Sequence, residues 1–264
     1  MKKVAILLLA ILTFSCSDDD EKGTEEDKGQ WAMIFNESVK NDSNPVDKTE
    51  KFMFDGERLI QHIIKQRYFE EEISNEVNLS YSDNQVTVTT DYPTLVYTLN
   101  SEGYASQCVY SLSSQNRIYQ FSYSAEGYLT GIVENIDNTE YSSTSLTYEN
   151  GDITSISSKM NGLENKFIYE PGEESSTYHL PCLGLLEIHP LTFHIEALYA
   201  GLLGKDPRHF TIRSCPAGSN DEKTIYSYEF DKKGNPSRMI CQTTYAGGQA
   251  SYYPYTRNIS VSFE

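Results

Sequence analysis

The chain is short of positive charge: 21 Lys and Arg stand against 38 Asp and Glu, a formal net charge of −17. Phosphate backbones are bound through Lys and Arg, so this balance argues against nucleic acid as a partner. It also opposes the body of the protein lying flat on an anionic membrane. Long apolar runs are missing too. The stretch from Val4 to Leu12 falls short of the roughly 20 apolar residues that span a bilayer. Catalytic signatures are equally scarce: the chain has no GxSxG elbow, no P-loop and no GxGxxG motif after a strand. Five cysteines occur, none in a CxxC or zinc-finger spacing. The sequence therefore implies no cofactor, no metal site and no recognisable nucleophile. A carboxylate-dependent hydrolase stays open only because that chemistry needs no more than two carboxylates a few ångströms apart. Nothing in the sequence marks such a pair.

What is present begins at the N-terminus. Lys2 and Lys3 precede the apolar Val4 to Leu12, and Leu12-Thr13-Phe14-Ser15-Cys16 closes the segment. A small residue directly before a cysteine, just after an apolar region, resembles the lipobox of bacterial lipoproteins, with Thr13 where Leu is usual. Residues 1–15 read as a cleaved signal peptide, and Cys16 as the lipid-bearing mature N-terminus. Cleavage removes Lys2 and Lys3 and takes the net charge from −17 to −19. Residues 16–30 are polar, acidic and glycine-containing, a composition too poor in apolar groups to offset its ordering entropy. They read as a solvated tether. An acidic cluster after a lipidated cysteine resembles a surface-export signal, which places the protein on the outer membrane and facing outward, with the periplasmic face as the alternative.

Residues 31–264 read as one domain of repeated β-hairpins. Phe121-Ser122-Tyr123-Ser124-Ala125-Glu126-Gly127-Tyr128-Leu129, Tyr97 to Ala105 and Leu146 to Ile153 share one pattern, with looser copies at Phe52 to Gly56, Leu79 to Asn84 and Tyr228 to Gly234. Each opens with apolar residues at period two, the mark of a half-buried strand. Each then reaches a short polar turn with Gly or Asn, which tolerate positive φ. Side by side, such hairpins form a sheet with a continuous apolar face. Residues 50–170 and 208–264 are expected to form an antiparallel meander that curls or closes, which also removes its edges.

An insertion at 171–207 interrupts the repeats. Glu170 to Ser176 reads as an exposed loop, and Pro190 to Leu203 as a helix with Leu191, Ile195, Leu198 and Leu202 on one stripe. That stripe is expected to pack on the sheet or plug an open end. His189, His194, Glu196, Asp206 and His209 cluster here in sequence. His189 and His194 are five apart with Pro190 between them, so they share no helix face and a metal site is not expected. Cys182 and Cys215 flank the segment and are a candidate disulfide, one of three connectivities open to four cysteines. Cys108 stands where other repeats have Ile and is read as a buried thiol.

The run Leu198-Tyr199-Ala200-Gly201-Leu202-Leu203-Gly204-Lys205, followed by Tyr226 to Gly234, resembles a Bacteroidales lipoprotein family called domain of unknown function 4595. That resemblance implies a porin-like, barrel-shaped antiparallel fold and brings no activity and no catalytic residues. More distantly, the hairpins are similar to Tyr-Asp repeats. Of the twenty tyrosines, those outside the repeat register, Tyr245, Tyr252, Tyr253 and Tyr255, are candidates for an exposed binding surface. The leading expectation is a non-enzymatic surface scaffold that binds an extracellular glycan or protein. The alternatives are an assembly accessory of the outer envelope and the hydrolase named above.

Overall fold

The computed structural model describes residues 29–264 apart from 41–45, 69–70, 92–93, 113–114, 177–179, 181–182, 220–221 and 245–254. The first strands are β1 (Gln30–Lys40), β2 (Val46–Asp55), β3 (Arg58–Tyr68), β4 (Glu71–Ser82), β5 (Gln85–Thr89) and β6 (Thr94–Leu99). Then come β7 (Ala105–Leu112), β8 (Gln115–Tyr123), β9 (Leu129–Ile136), β10 (Thr139–Glu149), β11 (Asp152–Met160) and β12 (Leu163–Ser175). After the insertion follow β13 (His209–Pro216), β14 (Lys223–Phe230), β15 (Pro236–Thr244) and β16 (Tyr255–Phe263). Each strand pairs with its sequence neighbours, and β1 pairs with β16 to close a barrel. The expected curling meander is thus a complete cylinder with no free edge.

β1 and the first four residues of β2, 46–49, lie ahead of the expected meander, which begins at residue 50. In β1, Trp31, Met33 and Phe35 fall on the inward series, but Ala32 and Ile34 between them are also apolar. That continuous run hides the period of two.

All six repeat turns lie at one end of the barrel, because each joins an even-numbered strand to the next odd one. Three of them share one hydrogen-bond pattern. The side chains of Asn100, Ser124 and Asp231 each accept from the backbone N–H groups two and four residues on. Gly103, Gly127 and Gly234 then take φ of 86, 93 and 84°, a region glycine enters without a Cβ penalty.

Strand alternation sorts the side chains. Inward positions near this end are apolar and buried: Phe52, Phe54, Leu59, Val86, Tyr97, Tyr119, Ile132 and Ile156. Outward positions carry many Ser, Thr, Asn, Gln and charged residues, as in the paired Ser145–Ser157 and Ser80–Thr87, with half-buried Val96, Val109 and Ile118 paired across β6 to β8 on the same face. Gln61 donates to Glu76 at 2.7 Å and Arg238 to Glu229 at 3.1 Å, both on the outer face. A membrane-spanning barrel has the opposite arrangement, an apolar outer band around a polar interior. The porin likeness therefore lies in the strand topology and not in the surface chemistry.

The insertion fills the lumen at the repeat-turn end. β12 runs on through Ser175 past two register shifts around Pro171, so the exposed segment from Glu170 to Ser175 is strand rather than loop. The connection between β12 and β13 is accordingly 176–208. The helix expected over Pro190 to Leu203 is broken into a 3-10 turn, Leu191–Phe193, and a single α-helical turn α1 (Ile195–Tyr199), and a further 3-10 turn, Leu183–Glu187, precedes it. The break falls at His194, whose φ of −123° and ψ of 29° leave the helical region. Leu191, Leu198 and Leu202 are nonetheless buried in the barrel core, with Ile195 packed against it. Backbone bonds seat the plug directly on the repeat turns: Ala105 N–H to Leu202 O at 2.7 Å, Lys205 N–H to Gly127 O at 2.9 Å and Arg208 N–H to Gly151 O at 3.1 Å.

Toward the other end the lumen admits solvent. Residues 71–76 of β4 are exposed on both faces, and Leu163 at the start of β12 is 73% exposed although it falls on the inward series. The molecule is a cup with its floor made by the insertion.

Candidate functional site

The cup's floor and lower wall hold two polar clusters where strand alternation would place apolar residues. On β9 the inward series runs Ile132, Glu134, Ile136, and Glu134 is fully buried. Its carboxylate accepts from Ser142 Oγ at 2.8 Å, Arg117 Nη1 at 3.1 Å and Tyr119 OH at 3.2 Å, all inward neighbours. The insertion supplies the fourth partner, His189 Nε2 at 2.7 Å. Burial pushes the Glu134 carboxyl up, but the hydrogen bonds from His189 and Ser142 outweigh it and hold the group below its ordinary value.

The second cluster lies across the lumen. His62 is buried on β3, stacked on Phe52 with ring centroids 4.0 Å apart. Its Nδ1 meets Glu196 of α1 at 2.8 Å, and its Nε2 lies 3.4 Å from Glu50, which Lys48 contacts at 2.9 Å. Burial disfavours the imidazolium, yet the bonds to Glu196 and Glu50 prevail and raise its pKa above the usual value. Nearby, Glu37 and Arg257 form an ion pair at 2.5 Å across β1 and β16.

His189 and His194 of the insertion and His209 at the start of β13 behave as separate pegs rather than as ligands converging on one point. His189 engages Glu134, and His209 Nδ1 engages Asp152 at 2.8 Å. His194 Nδ1 shares a hydrogen bond of 2.7 Å with Tyr97 OH, and its ring meets Tyr119 edge-on. Burial drives the His194 pKa down to about 3; its Nε2 has no hydrogen-bond partner among the described residues.

Above the floor, on the side of β11 to β15, lies a cavity of about 400 Å³. Gly184, Ile188 and His189 form its base, and Glu222 is the one carboxylate in its lining among the described residues. Gly184 is required there: a Cβ would come within 2.7 Å of the Tyr169 ring. A broader, more open cleft of about 860 Å³ lies at the plugged end, against Trp31, Phe54 and Glu264.

Of the residues singled out in the sequence, Cys16, Cys182, Tyr245, Tyr252 and Tyr253 lie outside the described residues. Tyr255 begins β16, its backbone paired with Thr243. Cys215 is half-buried on β13, paired with Ile168. Cys108 is a buried free thiol, its pKa pushed by burial up to about 12, as the repeat register implied. The residues that sequence reasoning missed are Glu134, Arg117, His62, Glu50, Glu37 and Arg257. Their signal was a charged residue in apolar phase on a strand, as in Ile132-x-Glu134-x-Ile136. Which partner neutralises it is set by strands that alternation alone does not pair.

The family model described as domain of unknown function (DUF4595) with porin-like fold matches residues 52–238. Among solved structures, a porin-like protein from Bacteroides uniformis ATCC 8492 is similar at a TM-score of 0.80 and 26% identity, covering 88% of this chain and 96% of its own. A porin-like protein from Bacteroides vulgatus ATCC 8482 shares the fold at a TM-score of 0.53 and 12% identity, covering 86% of this chain and 96% of its own. No curated protein matches the chain.

Proposed function

The chain belongs to the DUF4595 family of porin-like fold, and we propose that it works as a non-enzymatic binding cup, lipid-anchored through Cys16 and displayed at the cell surface. The observation that carries this reading is the barrel's asymmetry, plugged at one end and solvent-filled at the other, under a polar outer face. A plugged lumen suits capture rather than conduction. A porin-like barrel also accords with an outer-envelope protein. Residue 29, which leads back to the tether, and the C-terminal Glu264 both sit at the plugged end, joined to each other's strands by Ala32 N–H to Glu264 O at 2.8 Å. With the lipid on Cys16, the tether holds the floor toward the membrane and the mouth away from it. The mature charge of −19 adds repulsion from anionic lipid.

The partner this reading expects is an extracellular glycan or protein that enters by the mouth. Screening the chain from residue 17 on a glycan array, together with pulldown from host and bacterial surface extracts, tests it. A saturable partner that also competes with chemical labelling at a cysteine placed at Leu163 supports the cup. Clean negatives in both screens, or a partner that leaves the mouth label untouched, overturn it.

A further inference from the structure

We propose that the cavity beside the plug is a binding subsite for a neutral amphipathic ligand, a glycoside carrying an alkyl or aryl group. This rests on the binding-cup reading and deepens it.

Three of the five exposed large apolar side chains among the described residues lie at the mouth. Among the described residues the exposed large apolar side chains are Ile73, Met160, Leu163, Phe193 and Ile212. Met160 and Leu163 pair with each other on the inward series of β11 and β12, and Ile73 pairs with Gln66 on the inward series of β3 and β4. Phe193 lies edge-on to His189, a residue of the cavity floor. Met160 and Leu163 stay uncovered on the inward series, where strand alternation otherwise buries apolar groups. Exposed apolar groups gathered in a concavity mark a ligand surface.

The cavity offers both kinds of contact. Met160, Leu163 and Phe167 of β11 and β12 supply apolar surface, with Ser158 and Asn165 between them. Ser214, Thr224 and Thr243 of β13 to β15 supply hydroxyls, beside Tyr226. The hydroxyls of Thr224 and Thr243 lie 3.0 Å apart, and each can still donate or accept once more, as a hydroxyl has one donor and two acceptor sites. Among the described lining residues the charged side chains are Glu222 and Lys223, of opposite sign, where β14 begins at the mouth. These two offset each other and favour no ionic ligand. The volume of about 400 Å³ lies within the roughly 300–1,000 Å³ of small-molecule sites. An apolar tail against Met160, Leu163 and Phe167, with sugar hydroxyls toward Thr224, Thr243 and His189, uses both kinds of contact at once.

The test is calorimetric titration of the chain from residue 17, which keeps the whole closed barrel, with octyl β-D-glucoside below its micelle concentration. Saturable one-to-one binding is expected, with glucose alone and n-octanol alone each at least tenfold weaker. Met160→Glu with Leu163→Glu should weaken the glycoside at least tenfold without moving the thermal melt, since both side chains are already exposed. Thr243→Val should weaken it while leaving n-octanol unaffected. Absence of saturable binding, or binding unchanged in the double variant, overturns the subsite. No saturable glycoside binding, together with a macromolecular partner that still protects the Leu163→Cys label, would keep the cup and remove this subsite.

Discussion

At the scale of single residues, the buried polar groups determine how the molecule responds to substitution and to pH. Glu134 is the clearest case, because four donors converge on one carboxylate with no exposure of its own. Glu134→Leu leaves Arg117 and His189 without their acceptor, and removing one partner of a buried ion pair costs about 3–5 kcal/mol. Chemical denaturation should show a loss of that order, with the m-value unchanged. His194 makes a second prediction. Its folded pKa of about 3 lies below its unfolded value, so its contribution is complete above about pH 6.5 and is lost as pH falls. Between pH 6.5 and 5 the loss should be about 2 kcal/mol. His194→Gln should flatten that part of the stability profile, and an unchanged acid limb would count against the assignment. His62 works in the opposite sense: its raised pKa stabilises the fold below its unfolded value and the benefit fades as pH rises through the folded one. These two groups explain why the acid limb should begin with His194, before the lowered carboxylates Glu134 and Glu50 are protonated.

At the scale of elements, the plug depends on a few backbone contacts with the repeat turns. Gly204 has φ of 91°, and a Cβ there would stand 2.6 Å from Gly127 O. Backbone cannot retreat as a flexible side chain can, so Gly204→Ala should unseat the plug. Hydrogen exchange should then rise at Ala105 and Lys205, whose amides bond Leu202 and Gly127, while the strands far from the plug keep their protection. Leu191, fully buried, should lose about 2–5 kcal/mol on replacement by Ala. Much of this level was legible in the sequence. The six turns followed from period two and Gly or Asn, because local chemistry alone determines a hairpin. The stripe Leu191, Ile195, Leu198, Leu202 correctly marked the buried face. Its continuity as one helix was not legible, because His194 turns inward to Tyr97 and Tyr119, a tertiary demand that overrides the local pattern. The clusters at Glu134 and His62 were invisible for a related reason. Each joins the barrel wall to the insertion across |i−j| of 55 and 134.

At the scale of the whole molecule, polarity decides what the barrel is for. Its strands close in porin-like order, yet most buried apolar side chains point inward, around the two charged clusters, and many Ser, Thr and charged residues point outward. On the reading proposed above, such a barrel stands in water and its anchoring falls to the lipid on Cys16. Replacing Cys16 with Ala should release the protein from the membrane fraction or block its maturation, read by fractionation; unchanged partitioning would contradict the anchor. The most direct test of the inverted barrel is sedimentation and far-ultraviolet dichroism of the chain from residue 17 in buffer without detergent. The account predicts a soluble β-rich species with a cooperative thermal transition. A chain that aggregates, or that acquires its β structure only on addition of detergent or lipid, would contradict it.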